Sequence, residues 1–280
     1  MKVPFQSQYE LINSIKNTES TVHHFNVWWL GQSGFLIKYH QRYLLFDPYL
    51  SDSLTVKYLE TNKPHTRISE LVISPSLLDM IDVVTSSHNH TDHLDAETLK
   101  PILTLNLDIQ MIIPEANRDF VANRLGCTKD FMIGLNDNES VKIGNFEIIG
   151  VPAAHNELER DASGHLKCMG FVVKFGAFSV YHSGDTLWYE GMVDVLKPFA
   201  VDVAFLPING NVPSRGVAGN LNCEEAARLG KAIDAKLVIP HHYDLFEFNT
   251  ANPDDFVAEC KKTGTPYQIL ALGEGITIRY

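Results

Sequence analysis

Residues 81–95 read Ile81-Asp82-Val83-Val84-Thr85-Ser86-Ser87-His88-Asn89-His90-Thr91-Asp92-His93-Leu94-Asp95, an apolar run that breaks into three histidines and an aspartate within six positions. The run is short and rich in β-branched residues, as a buried strand should be. Side chains alternate in an extended segment, so His88 and His90 point to one side and can hold the same ion. Asp92 and His93 come where the chain bends toward a helical stretch beginning at Ala96. They diverge from the first pair and can reach a second ion about 3.5–4 Å away, a spacing suited to a shared hydroxide. The plain alternative, incidental histidines on a polar surface loop, fits poorly with so many imidazoles directly after an apolar strand.

The same pattern recurs along the chain. The run FEIIGVPAA is followed by His155, AFSVYHSG by Asp185, and KLVIP by His241-His242. Strand ends at one edge of a sheet are neighbours in space, so these groups can converge despite their separation in sequence. Imidazoles and carboxylates gathered at one rim are a donor set for a divalent metal.

Between these points the chain reads as short strands and a few helices. GFLIKY and YLLFD pair around His40-Gln41, VKIG and FEIIGV around Gly144-Asn145, and CMGFVVKF and AFSVYH around Gly176. YQILAL and ITIRY are further strands. Helices are expected over Ala96 to Leu105, over Asn117 to Leu125 with Gly126 as a left-handed stop, over Asn222 to Ile233 with a capping box, and from Asp254 to Lys262. Such a succession implies an α/β fold of two mixed sheets packed face to face with helices outside, as one domain over residues 1–280. Residues 1–20 are polar and helix-like and read as an N-terminal appendage. VDVAFLPI and KLVIP are apolar on both faces and read as central strands.

Composition narrows the function. The 280 residues carry a net charge of −11, from 23 basic and 34 acidic side chains. That balance opposes nucleic-acid binding, although bound cations can reverse the sign inside one cleft and admit a small anionic substrate. No apolar run approaches the roughly 18 residues that span a bilayer, and the start has no signal-like core, so a cytoplasmic protein without membrane partners is expected. The four cysteines are far apart with no C-x-x-C pair, which excludes a thiolate zinc ribbon and fits free thiols in a reducing cytosol. A homo-oligomer is allowed for.

The stretch S-H-N-H-T-D-H-L-D resembles the H-x-H-x-D-H signature of the metallo-β-lactamase superfamily, and V-P-A-A-H, H-S-G-D-T and I-P-H-H-Y-D follow in the family order. W-W-L-G, the histidine-rich segment and I-P-H-H-Y-D-L-F look most like the branch of L-ascorbate-6-phosphate lactonase, and S-G-D-T with Leu206-Pro207-Ile208 is also similar to phospholipase D-type members. The resemblance spans nearly the whole chain and implies an αββα sandwich with a dinuclear site at one edge of its two sheets. It implies that His88, His90 and His155 hold one metal, that Asp92, His93 and a late histidine hold the other, and that Asp185 bridges them. The family pattern of Pro, any residue, His and an aromatic favours His242 over His241. Zn²⁺, Mn²⁺ or Fe²⁺ suits such nitrogen and oxygen donors.

Other positions carry less. Asp47 stands where the family often steers a ligand histidine, or is a turn aspartate. His182 is a histidine supporting the site or a satisfied strand-end residue. Asn209, Arg215 and Asn220 lie in a Gly/Asn/Pro-rich loop that reads equally as a substrate clamp or a solvated loop, and Arg215 can pair with a phosphate or carboxylate. His23, His24, His40, His65 and His165 read as surface residues. The implied chemistry is attack by a metal-bridging hydroxide on an ester or lactone, with Asp92 orienting it. The rivals are a small phosphodiester substrate and a non-catalytic metal-binding protein.

Overall fold

In the computed structural model, residues 1–212 and 219–279 are described. Among them the first sheet starts as an antiparallel meander of β1 (His24–Gly31), β2 (Gly34–Tyr39) and β3 (Arg42–Phe46). It continues in parallel through β4 (Val83–Thr85), β5 (Gln110–Pro114) and β6 (Met132–Leu135). The last strand, β13 (Gly275–Arg279), closes its other side beside β1.

The second sheet has the antiparallel strands β7 (Ser140–Ile143), β8 (Phe146–Pro152), β9 (Met169–Phe175) and β10 (Phe178–His182), then the parallel β11 (Val203–Pro207) and β12 (Leu237–His241). Parallel pairs need crossovers, which are supplied by helices: α3 (Ala96–Leu105) between β4 and β5, α4 (Arg118–Leu125) between β5 and β6, α5 (Met192–Leu196) between β10 and β11, and α6 (Cys223–Ala232) between β11 and β12. α6 packs on β11 and β12 and against α7 (Pro253–Thr263). Its start carries the capping box of Asn222 and Glu225.

The core lies between the sheets, where aromatic rings from the two layers meet. Phe25 packs edge-on to Phe175 at 5.0 Å between centroids, and Phe35 lies 4.2 Å from Phe205. Strands β2 and β11 are buried along their whole length, which is why they show no alternation in sequence.

Three expectations change. Residues 1–20 are not an appendage: Leu11, Ile12 and Ile15 of α1 (Gln8–Asn17) join the main core. The buried Lys38 ammonium of β2 donates to Ile15 O and Lys16 O, satisfying carbonyls at the end of that helix. KLVIP is an edge strand, not a central one. Its outer edge is covered instead by residues 266–268, through Val238 N to Pro266 O and Gln268 N to Val238 O, so YQILAL forms a covering segment rather than a strand.

Candidate metal centre

Four polypeptide breaks meet at one edge of the sandwich. β4 ends at Thr85 and leads through Ser86 and Ser87 into the 88–93 hexapeptide, whose exit is fixed by Asp95 capping α3 through Glu97 N and Thr98 N. From the other sheet, β8 delivers His155, β10 delivers Asp185 and β12 delivers His242. Met169 N of β9 donates to Ser87 O and ties the two layers together beside the hexapeptide.

His88, His90, His155 and Asp185 present donor atoms within 4.8 Å of one another, and Asp92, His93, Asp185 and His242 do the same. Asp185 belongs to both groups. Its Oδ1 lies 2.6 Å from His242 Nε2 and 3.2 Å from His93 Nε2, yet neither approach is aligned as a hydrogen bond. The Nε2 atoms of His88, His93 and His242 are likewise buried without a hydrogen-bond partner among the described residues. Buried polar atoms are rarely left so. For Asp185, His88, His93 and His242, buried atoms that face a common point without pairing are the arrangement a cation requires; His155 Nε2 and His90 Nδ1 lie 3.1 Å apart, and the donor set as a whole fits a divalent metal.

Without metal the donors differ in charge state: His88 stands ready as a neutral donor, whereas His93 would have to release a proton to a binding cation. Burial, reinforced by the neighbouring imidazoles, holds His88 well below the ordinary histidine range, so it is a neutral donor. Burial alone would raise Asp185, but His242 and His93 outweigh it and keep the carboxyl well below its usual range. Burial would lower His93, whereas Asp185 and Asp92 hold it well above.

A second ring of contacts orients these donors. Asp47, fully buried, accepts from Ser87 N and Thr85 Oγ1, and its Oδ2 lies 2.7 Å from His93 Nδ1. That contact turns His93 Nε2 to the site, a role the sequence left open for Asp47. His155 Nδ1 lies 3.1 Å from Gly219 O. A Cβ on Gly219, whose φ is +93°, would stand 2.2 Å from that nitrogen, so only glycine allows this approach.

His182 has both ring nitrogens engaged, with Ser33 O at 2.8 Å and Gly184 N at 3.2 Å. It is a satisfied core histidine and touches no ligand. His241 stacks on it and lies outside both groups; its Nδ1 is 3.3 Å from Ser33 Oγ. Asn209 is buried and donates to Asn249. Arg215 lies outside the described residues.

Two residues of the site carry no mark in their local sequence. Gln32, in the G-Q-S-G turn between β1 and β2, is buried with a left-handed φ of +49°. Its Nε2 donates to Asp92 Oδ2 at 2.9 Å and sits 2.9 Å from His242 Nδ1, while its carbonyl accepts from Trp29 Nε1 and His242 N. His65 is not a surface residue. It is half-buried, its ring 5.4 Å from Phe248, and it lines the cleft of about 480 Å³ above the clusters. The packing of residues 60–66 against 246–248 that puts it there has no local sequence mark.

Two mixed sheets with histidine–carboxylate clusters along their shared edge define the metal-dependent hydrolase class of the αββα sandwich. Residues 26–242 match the family described as beta-lactamase superfamily domain, and the chain belongs to it. Among its relatives is a protein of Methanosarcina mazei named UPF0173 metal-dependent hydrolase, 26% identical over 255 residues, covering 89% of this chain and 97% of the relative. An Escherichia coli protein named "Probable L-ascorbate-6-phosphate lactonase" is 25% identical over 277 residues, covering 87% of this chain and 77% of its own. In fold the chain is similar to a metallo hydrolase of Ignicoccus hospitalis, with a TM-score of 0.67 and 21% identity over 92% of this chain and 99% of that one. No described helix is long and apolar enough to cross a membrane.

Proposed function

We propose that the protein holds two divalent cations, Zn²⁺ or Mn²⁺ with Fe²⁺ equally compatible, and hydrolyses an ester or lactone of a small anionic molecule such as a phosphorylated sugar lactone. The observation that carries this is Asp185, whose carboxylate belongs to both donor groups. A cation pair held there would supply a water of pKa near about 7 and polarisation of the oxygen under attack. His88, His90 and His155 would hold one ion, and Asp92, His93 and His242 the other. With one Asp92 oxygen fixed by Gln32, the other is available to orient the attacking water. Asp47 and Gly219 hold His93 and His155 in the rotamers that aim Nε2 inward. The four cysteines form no disulfide, which supports a reducing, cytoplasmic setting.

The test is hydrolysis of γ-butyrolactone, p-nitrophenyl acetate and bis(p-nitrophenyl) phosphate before and after chelation. Chelation should abolish lactone and ester turnover, and Mn²⁺ or Zn²⁺ should restore it. Turnover that survives thorough metal removal refutes the proposal, and turnover of the phosphate diester alone replaces the lactone with a phosphodiester.

A further inference from the structure

The cleft above the metal donors has the opposite charge character to the rest of the chain. The protein carries a net −11, yet Lys57, Lys63 and Arg124 line this cleft, and among the described residues its only carboxylates are the donors Asp92 and Asp185.

Two of these cations sit on the hexapeptide itself. Lys57 Nζ, from α2 (Ser53–Tyr58), donates to Thr91 Oγ1 at 3.2 Å, and Thr91 lies between His90 and Asp92. Arg124 Nη1 donates to Asn89 O at 2.8 Å and Leu94 O at 3.1 Å, bracing both ends of the segment, while its guanidinium carbon stands 4.4 Å from the centre of the Phe120 ring. Neither has a carboxylate partner among the described residues. By contrast Arg42, Arg67, Arg118, Arg160 and Arg228 each pair with an acid. Arg124 uses Nη1 on the loop, and among the described residues its other nitrogens have no hydrogen-bond partner.

Asn220 lines the same cleft, is 1% exposed, and has its Oδ1 buried without a hydrogen-bond partner among the described residues. Tyr58 and Phe248 supply an apolar wall. Unpaired cations in a partly enclosed cleft concentrate anions there against the global charge, and a guanidinium matches an oxyanion in geometry as well as sign.

We propose that Lys57 and Arg124 form an oxyanion subsite beside the metal donors, which selects substrates carrying a phosphate or carboxylate in addition to the bond that is cut. Asn220 Oδ1, an acceptor, suits a hydroxyl donor of the substrate beside the anion, and the aromatic wall takes the apolar body between the anion and the reacting group. The proposal rests on the hydrolytic reading only for the identity of that bond.

The experiment is calorimetric titration of the metal-loaded protein with benzylphosphonate and with phenylacetate, with benzyl alcohol as the neutral control. At unchanged metal content, Lys57→Gln should weaken anion binding about fivefold to tenfold, the size of one charge-assisted contact in a half-exposed cleft. Arg124→Gln should weaken it at least as much, and Lys57→Gln keeps the test open if loss of the Arg124 brace unfolds the loop. Lys261→Gln, outside the cleft, controls for net charge. Weakening confined to benzylphosphonate assigns a phosphate, and weakening confined to phenylacetate assigns a carboxylate. An anion affinity that is absent, or identical in wild type and Lys57→Gln, overturns the subsite. Failure of the protein to hydrolyse any ester leaves this binding result standing and removes only the hydrolytic reading.

Discussion

Gln32→Met tests whether the donors can be separated into two groups. The exchange keeps the side chain's length and leaves a non-glycine residue at the left-handed φ of +49°, so backbone strain is nearly unchanged. What disappears is the carboxamide that donates to Asp92 Oδ2 and stands 2.9 Å from His242 Nδ1. Both residues belong to the group of Asp92, His93, Asp185 and His242, and neither belongs to that of His88, His90 and His155. A hydrogen bond to a charged group contributes about 1.5–3 kcal/mol. Losing an orienting contact of this kind typically costs about 10–100-fold in metal affinity. Titration with Mn²⁺, followed by metal analysis after dialysis, should therefore show one ion bound as in wild type and the other weakened by that factor. Equal weakening of both ions, or of neither, would show that Gln32 does not act through Asp92 and His242.

Two other outcomes are expected. Gly219→Ala drives a methyl into the His155 ring and forces a side chain onto a φ of +93°. It should lower melting stability by about 1–3 kcal/mol and selectively impair the group that contains His155, so a variant with wild-type stability and metal content would contradict the model of a glycine-dependent approach. In the metal-free protein, burial keeps His88 and His241 neutral well below the ordinary histidine pKa. The unfolded chain takes up protons near about pH 6.5 that these two refuse, so each withdraws up to about 1.4 kcal/mol of stability per pH unit as the pH falls below that value. His93, held above its usual range against its own burial by Asp185 and Asp92, works the other way: its contribution is complete below about pH 6.5 and is lost as the pH rises through its folded value. Thermal melts in chelator should thus decline on the acid side of about pH 6.5, and a flat profile there would contradict the neutral state of the buried pair.

Much of the site was legible because its chemistry is concentrated at strand ends. His88, His90, Asp92 and His93 share one hexapeptide, and His155, Asp185 and His242 each follow an apolar run, so edge placement brings all seven together. What stayed hidden depends on contacts between distant segments. Gln32 is a small polar turn residue until β12 brings His242 to it across 210 positions. Lys57 and Arg124 carry no local mark, since nothing in their own segments shows that both reach back to the hexapeptide. KLVIP looked central because an edge strand covered by residues 266–268 is as apolar as an interior one. The N-terminal helix looked peripheral because its three core residues, Leu11, Ile12 and Ile15, are outnumbered by polar neighbours.

The donors are split between the two layers. His88, His90, Asp92 and His93 leave the first sheet, and His155, Asp185 and His242 leave the second. Neither layer contains a complete set, so an ion captured here acts as a rivet across the sandwich and favours the assembled state by mass action, about 2.7 kcal/mol when its free concentration is a hundred times its dissociation constant. Starvation for metal would then be felt first as a loosening between layers, at the seam where the cleft opens.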